Sequence, residues 1–146
     1  MASYISNGQP YFASTTPQTT DVVGNPIFCD GLSVATFTFV LNVGGGNVTS
    51  TIYFEATSQA GGTVTDWARL LIPAGGLHTN VAGIALSTPV SATMGSLTVT
   101  LTAASSGTFM VTLSDLPVGL VRAVYDYGSG TGGAPNTLTC YAAGKG

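Results

Sequence analysis

The feature that most constrains this chain is a run in which apolar residues alternate with threonine at every second position. Residues 97–102 read LTVTLT. Successive side chains of a β-strand point to opposite faces of a sheet, whereas the side chains of a helix repeat about every 3.6 residues. A helix would scatter these apolar residues around its axis. The run therefore predicts a strand with one apolar face.

The same period of two, or a shorter β-branched and aromatic run, recurs along the chain. The further segments are 34–41, 48–56, 64–72, 77–86, 109–113, 120–127 and 137–142. Turns rich in Gly and Pro separate them, and no stretch has a helical period. We predict an all-β, single-domain antiparallel β-sandwich or jelly roll of about eight short strands. The turn at residues 105–107 predicts a hairpin between 97–102 and 109–113.

Residues 1–30 differ from the rest, because three prolines and several turn signals interrupt any regular pattern. The apolar anchors of this segment are Tyr4, Ile5, Tyr11 and Phe12. We predict an extended N-terminal arm over 1–30 and a sandwich domain over 31–146. The arm packs either on its own body or on a neighbouring subunit. An irregular first strand of the same domain is the alternative.

Charge is scarce: 6% of the residues are charged, against about 25% in ordinary globular proteins. Three basic residues and a net charge of −3 are unsuited to neutralising phosphates, so we expect no nucleic-acid partner. A surface of hydroxyls and glycine backbone is expected to be covered by other subunits. We expect no membrane span and no signal peptide, because the apolar runs are interrupted and the first residues lack a basic region.

The residues that could carry catalysis are few and scattered. His78 is the only histidine, and no serine lies in a G-x-S-x-G motif that would complete a triad. Asp115 suits a turn, and Asp126 is expected to pair weakly with Arg122 four residues before it. Residues 128–133 contain a G-x-G-x-x-G pattern, but no helix follows it. We predict no enzymatic activity, no cofactor and no metal site.

Two further residue types have more than one interpretation. Cys29 and Cys140 are expected to be reduced core thiols, and a disulfide that ties the entry segment to the last strand is the alternative. Trp67 is the single tryptophan, and we expect it to pack in the core or at a subunit interface. The alternative is an aromatic platform with Tyr53 and Tyr125 that stacks on a sugar.

Two segments carry a family resemblance. Residues 51–63 read TIYFEATSQAGGT and are followed by Trp67. Residues 116–130 read LPVGLVRAVYDYGSG, and 137–141 read TLTCY. Together they resemble β-sandwich virion structural proteins of tailed bacteriophages, of the head decoration or cement type. The sequence departs from that pattern at Gln59 and the following alanine, where an acidic turn residue is usual.

The resemblance implies a non-enzymatic capsid decoration protein that binds and clamps major capsid protein subunits. It implies a homo-oligomer, with a trimer favoured, on the capsid surface of a virion assembled in the host cytoplasm. The candidate contacts with subunits or capsid are Tyr4, Ile5, Tyr11, Phe12 and Trp67. The alternative is a tail or fibre module that binds carbohydrate on the host surface.

Overall fold

The computed structural model describes residues 3–5, 10–13, 21–43, 47–58, 65–72, 77–79, 84–87, 96–101, 106–116, 119–130 and 136–146. These residues form strands and no helix, so none of them forms a helix that could cross a membrane. The strands are β1 (Ser3–Ile5), β2 (Phe12–Ala13), β3 (Val22–Val23), β4 (Ile27–Phe28), β5 (Val34–Val43), β6 (Val48–Thr57), β7 (Ala68–Arg69), β8 (Leu77–Thr79), β9 (Ile84–Ser87), β10 (Ser96–Leu101), β11 (Ser106–Ser114), β12 (Leu120–Gly130) and β13 (Asn136–Lys145). The predicted all-β class is confirmed.

The strands form two antiparallel sheets. Sheet A has the order β1–β13–β5–β11–β8, with β2 also beside β13. Sheet B has the order β3–β12–β6–β10–β9, with β4 also beside β12 and β7 beside β6. The pairing is nested, because β5 pairs with β13, β6 with β12, β8 with β11, and β9 with β10. A long double ribbon that is folded over onto itself has this pattern of pairs.

Aromatic rings from the two sheets meet in one core. Phe54 of sheet B lies 5.0 Å from Phe37 and 6.3 Å from Phe39, both of sheet A, between ring centroids. Phe39 also stacks on Phe109 of the next strand at 5.1 Å. All of these rings are buried. Such ring pairs contribute about 0.5–1.5 kcal/mol beyond the area they bury, and they fix the two sheets face to face as a sandwich.

The predicted hairpin between residues 97–102 and 109–113 is wrong. β10 pairs with β6 and β9 in sheet B, whereas β11 pairs with β5 and β8 in sheet A. Ser106 and Gly107 belong to β11 rather than to a turn. Alternation specifies which side of a strand is apolar, and that side faces the same core from either sheet. The pattern is therefore equally compatible with a hairpin and with a crossing between sheets.

Two other predicted strands differ in extent. Of the predicted segment 64–72, the structure describes residues 65–72, and among these only Ala68–Arg69 form a strand. Leu70 N still donates to Phe54 O at 2.8 Å. The predicted segment 77–86 contains the separate strands β8 and β9, which belong to different sheets. Residues 80–83 between them lie outside the described part of the chain.

The described residues of the predicted arm lie along one side of the sandwich. β1 and β2 pair with β13 at the edge of sheet A, and β3 and β4 pair with β12 at the edge of sheet B. Packing on the chain's own body is one of the placements that the sequence left open. The four short strands cover backbone edges that would otherwise be unpaired on this side.

Candidate interaction surfaces

The outer face of sheet A is almost free of charge along its three central strands, β13, β5 and β11. Because Phe37, Phe109 and Leu138 point into the core, their sequence neighbours point outward. The outward residues on the three central strands are Val34, Thr36, Thr38, Val40, Asn42, Thr108, Met110, Thr112, Ser114, Thr137, Thr139, Tyr141, Ala143 and Lys145, each half-buried or exposed. Thirteen of these fourteen side chains carry no charge. The exception is Lys145, at the end of β13.

The centre of this face is a cross-strand row of Tyr141, Thr38 and Met110. Thr38 of β5 is paired in register with Tyr141 of β13 on one side and with Met110 of β11 on the other. Tyr141 is 37% exposed and Met110 is 40% exposed. In the neighbouring row, the Thr36 and Thr112 hydroxyls are hydrogen-bonded at 3.0 Å. Buried interface centres are enriched in Tyr and Met and depleted of charge, so this row has the composition of such a centre.

The size of the face suits a protein partner. Its long strands have nine or ten residues, which at about 3.3 Å per residue give a length of about 30 Å. Three such strands, spaced by about 4.8 Å, give a width of about 14 Å, and the edge strands β1 and β8 add three residues each. The resulting area of about 500 Å² is close to the roughly 600 Å² that each partner buries at the lower end of specific interfaces.

Sheet B presents a different outer face, which carries an ion pair. Arg122 of β12 lies directly across from Glu55 of β6. The Nε and Nη2 atoms of Arg122 donate to Glu55 Oε2 at 2.8 and 2.6 Å. The prediction that Arg122 pairs with Asp126 is therefore wrong. A residue opposite on the neighbouring strand is closer than one four positions along the same strand, where residues are about 3.3 Å apart.

Both arginines of the chain stack on aromatic rings on this face. The Arg122 guanidinium carbon lies 3.9 Å from the centroid of the Trp67 ring, and that of Arg69 lies 3.9 Å from the Tyr53 ring. Arg69 of β7 is in register with Glu55, on the side opposite to Arg122. Arg69 and Arg122 thus occupy the strand positions on either side of Glu55. We call these five residues the arginine patch.

Trp67 lies within this patch and is half-buried. Arg122 covers one face of its indole ring, and the indole Nε1 is buried without a hydrogen-bond partner among the described residues. Tyr53 is half-buried and lies under Arg69. The alternative sugar platform included Tyr125, which is fully buried in the core, and Trp67 and Tyr53 each have one ring face occupied by a guanidinium.

Tyr11, a predicted contact with another subunit, is 8% exposed and belongs to the core of its own chain. Its ring packs edge-on against Phe37 at 5.4 Å, and its backbone N–H donates to Cys140 O at 2.6 Å. The Tyr11 hydroxyl donates to Asn25 O at 2.5 Å and accepts from Ala123 N at 3.3 Å. Tyr11 therefore joins both sheets and has little surface left for a partner.

The other predicted contacts occupy the same edge. Tyr4 and Ile5 lie in β1 and Phe12 lies in β2, all beside β13. Their backbones are described, whereas their side chains lie outside the described part of the structure. The structure does not bring these residues next to Trp67, because β1 and β2 belong to sheet A while Trp67 stacks on the outer face of sheet B.

Both cysteines are buried and carry free thiols. Burial, with a smaller contribution from the Asp30 carboxylate, raises the pKa of the Cys29 thiol to about 11. Burial also raises the pKa of the Cys140 thiol well above its usual range. Since the thiolate is the reactive form, neither cysteine is suited to act as a nucleophile.

Sequence reasoning did not find either surface as a unit. The alternation of threonine with apolar residues contained the signal for the nearly uncharged face, but joining β13, β5 and β11 side by side requires the sheet order. The arginine patch gave no local signal, because Glu55, Arg69 and Arg122 are brought together only by the pairing of β7, β6 and β12.

No protein-family model matches this sequence, and no curated protein matches it. Among solved structures, the SPBc2 prophage-derived protein YomS is similar to this chain with a TM-score of 0.40 and 12% sequence identity. The match covers 98% of this chain and 90% of that chain. At this TM-score the likeness carries no argument about the function of the chain.

Proposed function

We propose that this chain is a non-enzymatic structural protein of a phage virion, and that other subunits cover the outer face of its sheet A. The sequence resemblance supplies the kind of particle. The single observation that supports the location is the scarcity of charge on this face, where thirteen of the fourteen described outward residues of its three central strands carry no charge. A monomeric domain usually mixes charges of both signs over its surface, so a face of this size with so little charge suits a permanent contact.

The more specific proposal is a capsid decoration protein that binds major capsid protein subunits, with a homotrimer as its assembly. A flat threonine face can bury methyl groups while its hydroxyls exchange water for hydrogen bonds to the partner's backbone. A protein that binds only the assembled shell stabilises that shell by mass action. The chain needs no catalytic group for this role, and it would be located on the capsid surface.

The competing proposal is a tail or fibre module that binds carbohydrate. That function requires Trp67 or a tyrosine to present an open ring. Arg122 covers one face of Trp67, and Arg69 covers one face of Tyr53. These contacts favour the structural role over a sugar platform at this position.

The test measures attachment to purified, expanded capsids of the parent phage that lack the protein. Wild-type chain is expected to co-sediment with the shells at a fixed stoichiometry. Thr38→Lys places a charge at the centre of the nearly uncharged face, and we expect it to weaken attachment by about a hundredfold, because an unpaired charge must lose its water on burial.

Thr51→Lys is the matched control. Thr51 is also a half-buried, outward threonine on a central strand, but it lies on sheet B. We expect this variant to attach like the wild type, and circular dichroism checks that both variants fold. Failure of the wild type to attach would overturn the capsid proposal. Equal attachment of the two variants would overturn the assignment of the contact to sheet A.

A further inference from the structure

The charges of the arginine patch do not balance. Arg122 donates two hydrogen bonds to a single oxygen of Glu55, so this pair is neutral as a unit. Arg69 is exposed, and it adds one positive charge to a patch on a chain whose net charge is −3. Among the described residues, the ion pair of this patch is the one between Arg122 and Glu55. Arg69 is thus a cation without an ionic partner among the described residues, although Asp126 lies on the same face of sheet B, in register with Thr51.

The Arg69 guanidinium is held in place before any partner arrives. It lies flat over the Tyr53 ring, 3.9 Å from the centroid, and stacking of this kind leaves the N–H groups at the guanidinium edge free to point away from the ring. A guanidinium fixed in this way loses less side-chain entropy when a carboxylate binds. Carboxylates fit the guanidinium fork through two parallel hydrogen bonds.

Apolar surface lies beside this cation. Leu71, two residues along the chain from Arg69, is 56% exposed. Trp67, Tyr53 and Arg122 belong to the same patch. Trp, Tyr and Arg are the residues that most often dominate the energy of protein interfaces. A cation, an exposed leucine and two stacked aromatic rings therefore match a segment in which a carboxylate neighbours an apolar side chain.

We propose that the arginine patch docks an acidic segment of a different protein, with a carboxylate on Arg69 and an apolar side chain beside Leu71. A different protein is favoured over a second copy, because the six acidic residues of this chain are isolated from one another along the sequence, so a second copy has no acidic segment to offer. The site is on the outer face of sheet B, opposite to the face that the proposed capsid contact uses. It therefore stands whether or not sheet A binds a capsid.

The arginine side chains themselves report the binding. The chain has two arginines, so its ¹⁵N–¹H spectrum contains two arginine Nε–H signals, which Arg69→Lys assigns. The probe is the capped peptide Leu-Glu-Leu-Glu-Leu, and the control peptide carries Gln in place of Glu. We expect the Glu peptide to shift the Arg69 signal in a saturable way, with a weaker effect at high salt. The Arg122 signal, held by Glu55, should move less.

Variants and dilution separate the possible explanations. Arg69→Gln should weaken binding of the Glu peptide by about tenfold or more. The affinity of Arg69→Lys should lie between those of the wild type and of Arg69→Gln. Thr38→Lys, on the other sheet, should leave peptide binding unchanged. Equal shifts with the Gln peptide, or no shift at millimolar peptide, would overturn the proposal. A shift of the Arg69 signal on dilution of the protein alone would assign the site to a second copy and would also overturn it.

Discussion

The hydroxyl of Tyr11 completes the hydrogen bonding at the edge of sheet B, and its removal should lower the free energy of unfolding. β3 and β4 pair with β12 at residues 124–125 and 120–121, and Ala123 N between them donates to the Tyr11 hydroxyl at 3.3 Å. In Tyr11→Phe the ring remains against Phe37, but the N–H of the fully buried Ala123 loses its acceptor. A buried donor without a partner costs about 1–3 kcal/mol.

The long N–H···O distance places the expected loss in the lower half of that range, at about 1–2 kcal/mol. The Asn25 carbonyl, which also loses its donor, belongs to an exposed residue and has access to water. For a chain of this length the melting temperature should fall by about 3–8 °C. Urea unfolding followed by circular dichroism measures the free energy directly, and the dependence on denaturant should not change.

Tyr141→Phe is the control, because Tyr141 is 37% exposed on the outer face of sheet A. This variant should unfold within about 0.5 kcal/mol of the wild type. If Tyr11→Phe is as stable as Tyr141→Phe, then Tyr11 does not bridge the two sheets of its own chain. The residue would then be available to a neighbouring subunit, as the sequence had left open.

Three further predictions concern stability. Gly24→Ala should destabilise the fold by about 1–3 kcal/mol in urea unfolding, because its Cβ would lie 2.3 Å from the Tyr11 ring; no loss would contradict that contact. Folding raises the Cys29 thiol pKa from 9.0 to about 11, so the unfolded chain releases its proton first and stability should fall as pH rises from 9 to 11. Cys29→Ser should make this fall smaller without abolishing it, because burial also raises the pKa of the Cys140 thiol; an unchanged fall would contradict the contribution of Cys29. Glu55→Gln should lower the free energy of unfolding by about 1–2 kcal/mol and shift the tryptophan fluorescence, whereas Asp126→Asn should leave both almost unchanged. Equal losses of stability would indicate that Arg122 pairs with Asp126, as the sequence suggested.

The inward faces of the long strands could be predicted from the sequence, but their partners could not. Alternation placed Phe37 and Phe39 of β5 on one face, and both are fully buried. The same alternation in β10 and β11 suggested a hairpin, although these strands lie in opposite sheets. A strand that crosses to the facing sheet keeps its apolar side toward the same core, so burial alone does not distinguish the two arrangements.

Long-range contacts decided the chemistry of the candidate surfaces. Arg122 has Asp126 four residues away in sequence, yet its partner is Glu55, which is 67 positions away along the chain. Tyr11 appeared to be a free aromatic anchor in a proline-rich segment, but β12 supplied it with a buried donor. Both outcomes depend on which strands are neighbours, and that information is distributed over the whole chain rather than present in a motif.

Side-chain oxidation reports whether assembly buries the outer face of sheet A. Hydroxyl radicals should modify Met110 and Tyr141 in the free chain, where they are 40% and 37% exposed. Mass spectrometry of shell-bound chain should show both residues protected by about tenfold, because about 500 Å² of contact excludes water from the centre of the face. Phe28, 66% exposed at the edge of sheet B, should remain reactive. Equal oxidation of Met110 in free and bound chain would show that assembly does not bury this face.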